Sequence, residues 1–261
     1  IRQYAATQPE WTLVLHDTDG FKARAMTSMR GAGLISDVTT VELAKTLQTR
    51  SQPVGNVSSV VAGLTLPCVC VDHHQVGRLA FQHLWDRGFR RFGFVGHPRH
   101  HYSTEREKGF RAALAEMDLS PECYYDRSRY SYRHRGRLLM VRAALQRWLY
   151  SLAKPVGIFA CHDVWAVHLI GSCRLIGILV PEDVAILGVD NDDLLCNLAR
   201  PTLSSVLVPV EQIGYEAAAL LDRLLKRGKT SRQPQLIPPM GVVARQSTDI
   251  LAGGDPDVTA A

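Results

Sequence analysis

The chain has no long hydrophobic run. Its main apolar stretches, Val60 to Val71 and Leu175 to Val180, are broken by Gly or Pro or fall far short of the ~20 residues of a bilayer crossing, so no membrane span is predicted. Ile1 to Trp11 lacks the apolar core and small-residue cleavage site of a secretory signal. Cysteine is sparse and irregular, at 68, 70, 123, 161, 173 and 196, mostly inside apolar runs. That pattern predicts buried thiols in a reducing, cytoplasmic setting rather than a disulfide framework. Low-complexity tracts and repeats of about 20 to 50 residues are missing, which argues against solenoids and propellers.

Catalytic and metal motifs are missing too. Cys68 and Cys70 share a strand face, but no second Cys or His pair stands at finger spacing. His73-His74 and His100-His101 are adjacent pairs without H-E-x-x-H or an accompanying acid motif, so no metal and no cofactor is expected. G-x-S-x-G is absent, and Ser103 has no recognisable base beside it. The turn Gly93-Phe-Val-Gly96 is not G-x-G-x-x-G, and no Walker loop occurs.

What is present is a chain of 261 residues, 46% hydrophobic and 21% charged, able to bury a substantial core as one large domain or two modest ones. The net charge of +5 suits a nucleic-acid partner and many ordinary proteins equally. Short β-branched runs alternate with amphipathic stretches, the pattern of an α/β protein with parallel sheets. Strands are predicted at Trp11 to His16, Gly33 to Asp37, Pro53 to Ser58, Cys68 to Asp72, Arg91 to Gly96, Val156 to Cys161 and Val184 to Asp190. Helices are predicted at Gln75 to Arg87, at Leu138 to Leu152, at Val210 to Leu225, from a Thr104/Glu107 capping box, and from Asp163 as a cap. Ile1 to Ala6 reads as the second half of a helix whose strand lies upstream, so the first strand is expected to be missing.

Three polar segments follow predicted strands, where open α/β sheets bind ligands. Arg106, in the loop and helix start Gly96 to Arg106, offers a fork of donors for hydroxyls or a carboxylate; a structural salt bridge explains it as well. Asp163, after Ala160-Cys-His162, reads as a helix cap unless His162 also faces ligand. Asp190 and Asn191, in Gly188-Val-Asp-Asn-Asp-Asp193, suit the vicinal hydroxyls of a sugar, or an Asx-turn or cap of a short helix.

The order of these segments resembles the effector-binding core of lactose-repressor-family regulators. The likeness is carried by Val71-Asp72 with Gly77-Arg-Leu-Ala, by Gly88-Phe-Arg-Arg-Phe-Gly-Phe-Val-Gly96 and by Ser103-x-x-Arg106-x-x-Gly109-Phe110. It continues in Val180-Pro-Glu-Asp-Val-Ala-Ile-Leu-Gly-Val-Asp190, Pro201-Thr-Leu-Ser-Ser205 and Ile213-Gly-Tyr-Glu-Ala-Ala. Ser103-Thr-Glu-Arg-Glu107, Leu203-Ser-Ser-Val206 and the tail Val243 to Ala252 are similar to the xylose operon regulators within that group.

The resemblance implies a type I periplasmic-binding-protein-like fold: two doubly wound α/β lobes joined by three crossovers, with ligand in the cleft between them. It implies an amino-terminal lobe of residues 1–89 and 204–230, a carboxyl-terminal lobe of 90–203 and 231–247, and a linker at 248–261 toward a helix-turn-helix part that this chain does not contain. The implied function is sensing of a small sugar such as xylose or another pentose by a transcription regulator, with a homodimer reaching DNA only through that further part. The implied ligand residues are Arg106, Asp190, Asp163, His162, Asn191, Asp72, Tyr102 and Trp165. His162 stands where the family usually has Asn, introducing a group expected to charge near neutral pH. A sugar-binding protein of a transport system shares the fold, and a sugar-processing enzyme would use Asp190 and Asp163 as paired acids. Replacing Arg106 or Asp190 with alanine is expected to abolish sugar binding with little change in the melting of the ligand-free chain.

Overall fold

A computed structural model describes residues 1–15, 32–126, 138–228 and 233–252. In chain order its elements are α1 (Arg2–Ala5), β1 (Leu34–Ser36), α2 (Val41–Gln48), β2 (Val54–Asn56), β3 (Val69–Val71), α3 (His73–Trp85), β4 (Phe92–Gly96), α4 (His101–Ala115) and β5 (Glu122–Tyr125). Then come α5 (Leu138–Ser151), β6 (Val156–Ala160), α6 (Asp163–Leu175), β7 (Val184–Val189), α7 (Asp193–Leu198), β8 (Ser204–Val206), α8 (Val210–Arg227), β9 (Gln235–Ile237), β10 (Val242–Val243) and a short 3₁₀ turn, Gln246–Thr248. They divide into two compact units, residues 1–72 with 209–238 and residues 73–208 with 239–261.

In the first unit β1 pairs β2 and β3 pairs β9, all in parallel, with one bridge from Asn56 to Cys68 linking the two ladders. Thr40 starts α2 by accepting from the Leu43 N–H at 3.1 Å, which turns Ala44 and Leu47 onto Val38, Val54 and Leu66. Asn56, only 2% exposed, accepts from Val38 N (3.2 Å) and Ser58 N (2.9 Å) and donates to Ser58 O (2.8 Å). An alanine there strands three buried backbone groups. Asn56→Ala is therefore expected to cost about 3 kcal/mol in urea denaturation, since each unpaired buried group costs about 1–3 kcal/mol. A loss under about 0.5 kcal/mol would show that these bonds contribute little.

The second unit is one six-stranded sheet in the order β10-β8-β7-β6-β4-β5, parallel except for the β10 edge. Its inner strands β4, β6 and β7 are buried at every residue, which is why their sequences are apolar without alternation. Phe94, Phe110 and Phe159 pack there, with ring centroids 5.2–6.5 Å apart. Because β4, β6 and β7 are parallel neighbours, the loops leaving their carboxyl ends start side by side. On one face α3 crosses α4 at Gly77 and Gly109, close enough that a Cβ on either would strike the other helix's backbone.

Several sequence expectations differ from this arrangement. Residues 11–15 form no strand; Trp11 instead lies 5.7 Å from the Tyr4 ring, and His16 falls outside the described residues. The Thr104/Glu107 capping box does not form, because the His100 carbonyl already accepts from Ser103 N and Thr104 N and α4 opens at His101. Glu107 is engaged by Arg111 and the Tyr125 hydroxyl. Strands β5 and β8 were not marked in the sequence.

The unit boundaries shift as well, from 89/90, 203/204 and 230/231 to 72/73, 208/209 and 238/239. Packing explains each shift: α3 lies on α4, β8 pairs with β7, and β9 pairs with β3. Residues 248–252, expected in a linker, are packed, with Thr248 fully buried and Ala252 N donating to Arg87 O at 2.7 Å. The rest of that segment, 253–261, lies outside the described residues. No described helix is long and apolar enough to cross a membrane.

Candidate functional site

Arg106 sits in the second turn of α4 with its side chain only 5% exposed. A guanidinium so placed must spend its donors, and three go to three different elements. Nη2 donates to Asp190 Oδ1 at 3.1 Å, Nη1 to the Cys161 carbonyl, and Nε to His73 Nδ1 at 3.2 Å. The loops after β6 and β7 and the first turn of α3 are thus tied to one planar cation. Its charge is matched by Asp190, whose side chain is half exposed. Partial desolvation raises the Asp190 carboxyl above its ordinary value and the neighbouring Arg106 draws it back down.

The expectation that Arg106→Ala spares the ligand-free fold does not survive this geometry. Removing the buried guanidinium leaves the Cys161 carbonyl and His73 Nδ1 without their donor, so that variant is a poor probe of binding alone.

Asp190 and Asn191 both have positive φ, 108° and 52°. Two consecutive non-glycine residues in that region persist only where surroundings over-determine them. Here three successive backbone N–H groups are held: Asp190 N by Val206 O (3.0 Å), Asn191 N by Ser205 Oγ (3.0 Å) and Asp192 N by Asp163 Oδ2 (2.8 Å). Asp192 then caps α7 through Leu195 N at 2.9 Å. The cap reading of this acidic segment falls on Asp192, while Asp190 is the partner of Arg106.

The His162-Asp163 pair exchanges its expected roles. His162, not Asp163, is the N-cap of α6, its Nδ1 accepting from Trp165 N at 3.4 Å. Asp163, 2% exposed, turns toward β8, accepting from Ser205 Oγ at 2.6 Å and from Asp192 N. Burial pushes its carboxyl up to about 6, while those hydrogen bonds pull the other way. His162 does not charge near neutral pH as expected. Burial, with Arg106 and other imidazoles nearby, pushes it down to about 3.

Tyr102 stands among these groups: the Arg106 guanidinium carbon is 5.1 Å from its ring centre, and the His73 and His162 rings are 6.2 and 6.1 Å away. Its hydroxyl meets His100 Nδ1 at 3.0 Å, and His100 stacks on His97 with centroids 3.9 Å apart. Trp165 is buried, edge-on to His168, and packs as core on α6. Asp72 lies in the first unit at the end of β3, where its N–H continues the ladder to Ile237 O. The second unit thus gathers Arg106, Asp190, Asn191, Tyr102, His162 and Asp163, and adds His73 and Ser205, which sequence reasoning had not marked as site residues. Ser205 was legible only as part of a motif, and His73 only as half of a histidine pair. Among the described residues no three metal-ligating side chains converge.

A conserved-sequence profile described as the periplasmic binding protein-like domain matches residues 81–248. The chain belongs to that family. A second profile, covering periplasmic binding proteins and the sugar binding domain of the lactose-repressor family, matches residues 23–126 of this periplasmic binding protein-like chain. It is 30% identical to the xylose operon regulatory protein of Escherichia coli K12 over 97% of its own length and 65% of that protein's. It is 32% identical to the protein of the same description from Haemophilus influenzae, over 98% and 67%. A solved structure of a xylose-binding transcription activator superposes with a TM-score of 0.83 at 30% identity, covering 98% of this chain and 66% of the other. The periplasmic binding protein-like chain therefore spans about two thirds of the length of these relatives.

Proposed function

We propose that this chain is the effector-sensing part of a transcription regulator and that it binds a small uncharged sugar, a pentose such as xylose, at the Arg106–Asp190 cluster. The observation that carries this reading is the electrostatics of that cluster. The Arg106 guanidinium is already matched by Asp190, and burial keeps the His73 and His162 rings beside it neutral, so these groups offer directed donors and acceptors. Such a set suits hydroxyls and disfavours phosphates or sugar acids. The likeness to xylose operon regulatory proteins points to the same ligand class.

The sugar would contact Arg106, Asp190, Asn191 and Tyr102, with His162 and Asp163 shaping the loops and Trp165 supporting α6. Binding would act on DNA through a separate helix-turn-helix part, in a homodimer, and only to the extent that the sugar prefers one conformation over another. No catalytic step belongs to this reading: both Asp163 oxygens are occupied by Ser205 and Asp192, and Asp190 is held by Arg106, which suits holding a ligand rather than passing protons.

Calorimetry of the chain against D-xylose, L-arabinose, D-ribose, D-glucose and glucose 6-phosphate tests the proposal. Binding is expected for at least one neutral pentose and not for the phosphate. Asp190→Ala, with its ligand-free melting measured alongside because it also leaves the Arg106 charge unmatched, is expected to weaken binding by about 10- to 100-fold, the effect of a lost charge-assisted hydrogen bond. Tight uptake of the phosphate, or undiminished binding by Asp190→Ala, would sink it.

A further inference from the structure

His73 opens α3 beside the site, and its two ring nitrogens have different surroundings. Nδ1 faces the Nε–H of Arg106 at 3.2 Å. A guanidinium has no lone pair to offer, so Nδ1 must accept and the ring proton must sit on Nε2. Burial, with Arg106 and His101 nearby, pushes the ring down to about 2, which keeps this one tautomer throughout the physiological range. The Nε2–H is therefore a buried donor with a fixed direction, and it has no hydrogen-bond partner among the described residues.

A second orphan lies on the residue next to one member of the Arg106–Asp190 ion pair. Asn191 Oδ1 is buried without a partner among the described residues, on the residue that follows Asp190. Its backbone is held at positive φ by Ser205, so the amide is kept where it is at some conformational expense. Unpaired buried polar atoms are rare because each forfeits its hydration, and those that persist mark places that something else completes. One is a donor attached to Arg106, the other an acceptor attached to Asp190. A hydroxyl both accepts and donates; a phosphate or carboxylate oxygen cannot donate to Asn191.

We propose that His73 is a specificity-determining residue of the sugar site: Nδ1 braces Arg106, while Nε2–H donates to a ligand hydroxyl whose own proton goes to Asn191 Oδ1. This rests on the sugar-sensing reading above and adds to it the group that reads one hydroxyl.

The test uses the size of two amides. In His73→Gln the terminal nitrogen reaches the place of Nε2 and keeps the donor; in His73→Asn the amide reaches only the place of Nδ1, so Arg106 keeps an acceptor but the ligand loses its donor. Calorimetry with D-xylose, or with whichever neutral pentose the wild type binds, is expected to rank wild type first, then Gln within about 3-fold, then Asn weaker by about 10-fold. Thermal melting of each ligand-free variant is measured alongside. Asn binding as well as or better than Gln overturns the proposal, since the brace alone would then explain His73. A wild type that takes up no neutral sugar overturns the sugar reading itself, a result distinct from a binding wild type whose variants rank the wrong way.

Discussion

Replacing Gly109 with alanine is expected to cost the second unit more than about 3 kcal/mol and to disturb the Arg106–His73 contact with it. A Cβ at 109 would lie 2.9 Å from the His74 Cα and nearer still to the His74 carbonyl oxygen. At Gly77 the corresponding atom would fall on the Arg106 carbonyl oxygen and 2.5 Å from Phe110 N. Overpacking against movable side chains costs about 1–3 kcal/mol. Here the obstacle in both directions is main chain, so α3 and α4 must move apart.

His73 and Arg106 ride on those two helices, four and three residues from Gly77 and Gly109, so separation also loosens the brace on the site. A melting temperature at least about 6 °C below wild type is expected, at about 2–4 °C per kcal/mol for a unit of this size. Gly171→Ala is the control. A Cβ there meets nothing within 4 Å, and in mid-helix it is expected to stabilise by up to about 1 kcal/mol. If Gly109→Ala melts within about 2 °C of wild type, the two helices are not in backbone contact.

Acidification from pH 7 to pH 5 is expected to cost the second unit on the order of 4 kcal/mol. His73, His83 and His162 are pushed down to about 2, 3 and 3, in each case first by burial and then by neighbouring positive charge. Their ordinary value is near 6.5. Between that value and about 3 the unfolded chain binds protons that the folded chain refuses, so stability is lost as pH falls through this window. A fully refused proton costs about 2 kcal/mol between pH 7 and pH 5.

Asp163 works in the opposite sense. Raised to about 6, it holds a proton in the folded chain that the unfolded chain has released, which returns about 1 kcal/mol on acidification. Denaturant melts at the two pH values measure the net loss. His83→Gln isolates one share away from the site: His83 Nε2 lies 2.9 Å from Thr248 Oγ1, within the contacts that hold residues 245–252. This variant is expected to remove about 2 kcal/mol, roughly half of the net pH dependence. Stability flat between pH 7 and pH 5 would mean that the histidines take up protons in the folded chain.

The layered α/β architecture could be read from sequence because the inner strands β4, β6 and β7 are apolar at every position and the helices between them carry single apolar stripes. The short strands β1, β2 and β3 were legible from their apolar runs, whereas β8 and β10 were not, being defined by what they pair with. The same holds at the site. Arg106, Asp190 and Asn191 were marked by lying just beyond strand ends, which is local information. His73 and Ser205 become site residues only through partners 33 and 42 positions away in the chain.

By itself the sequence determined the fold class, the order of its main strands and helices, the family, and a guanidinium and a carboxylate each following a strand, because hydrophobic period and position after a strand are properties of short segments. Only the tertiary structure decided that His162 rather than Asp163 caps α6, that α3 and β8 belong with the second sheet, and which ring nitrogen of His73 carries the proton. Those outcomes depend on which distant groups arrive to share a hydrogen bond or exclude water, and no local pattern encodes that.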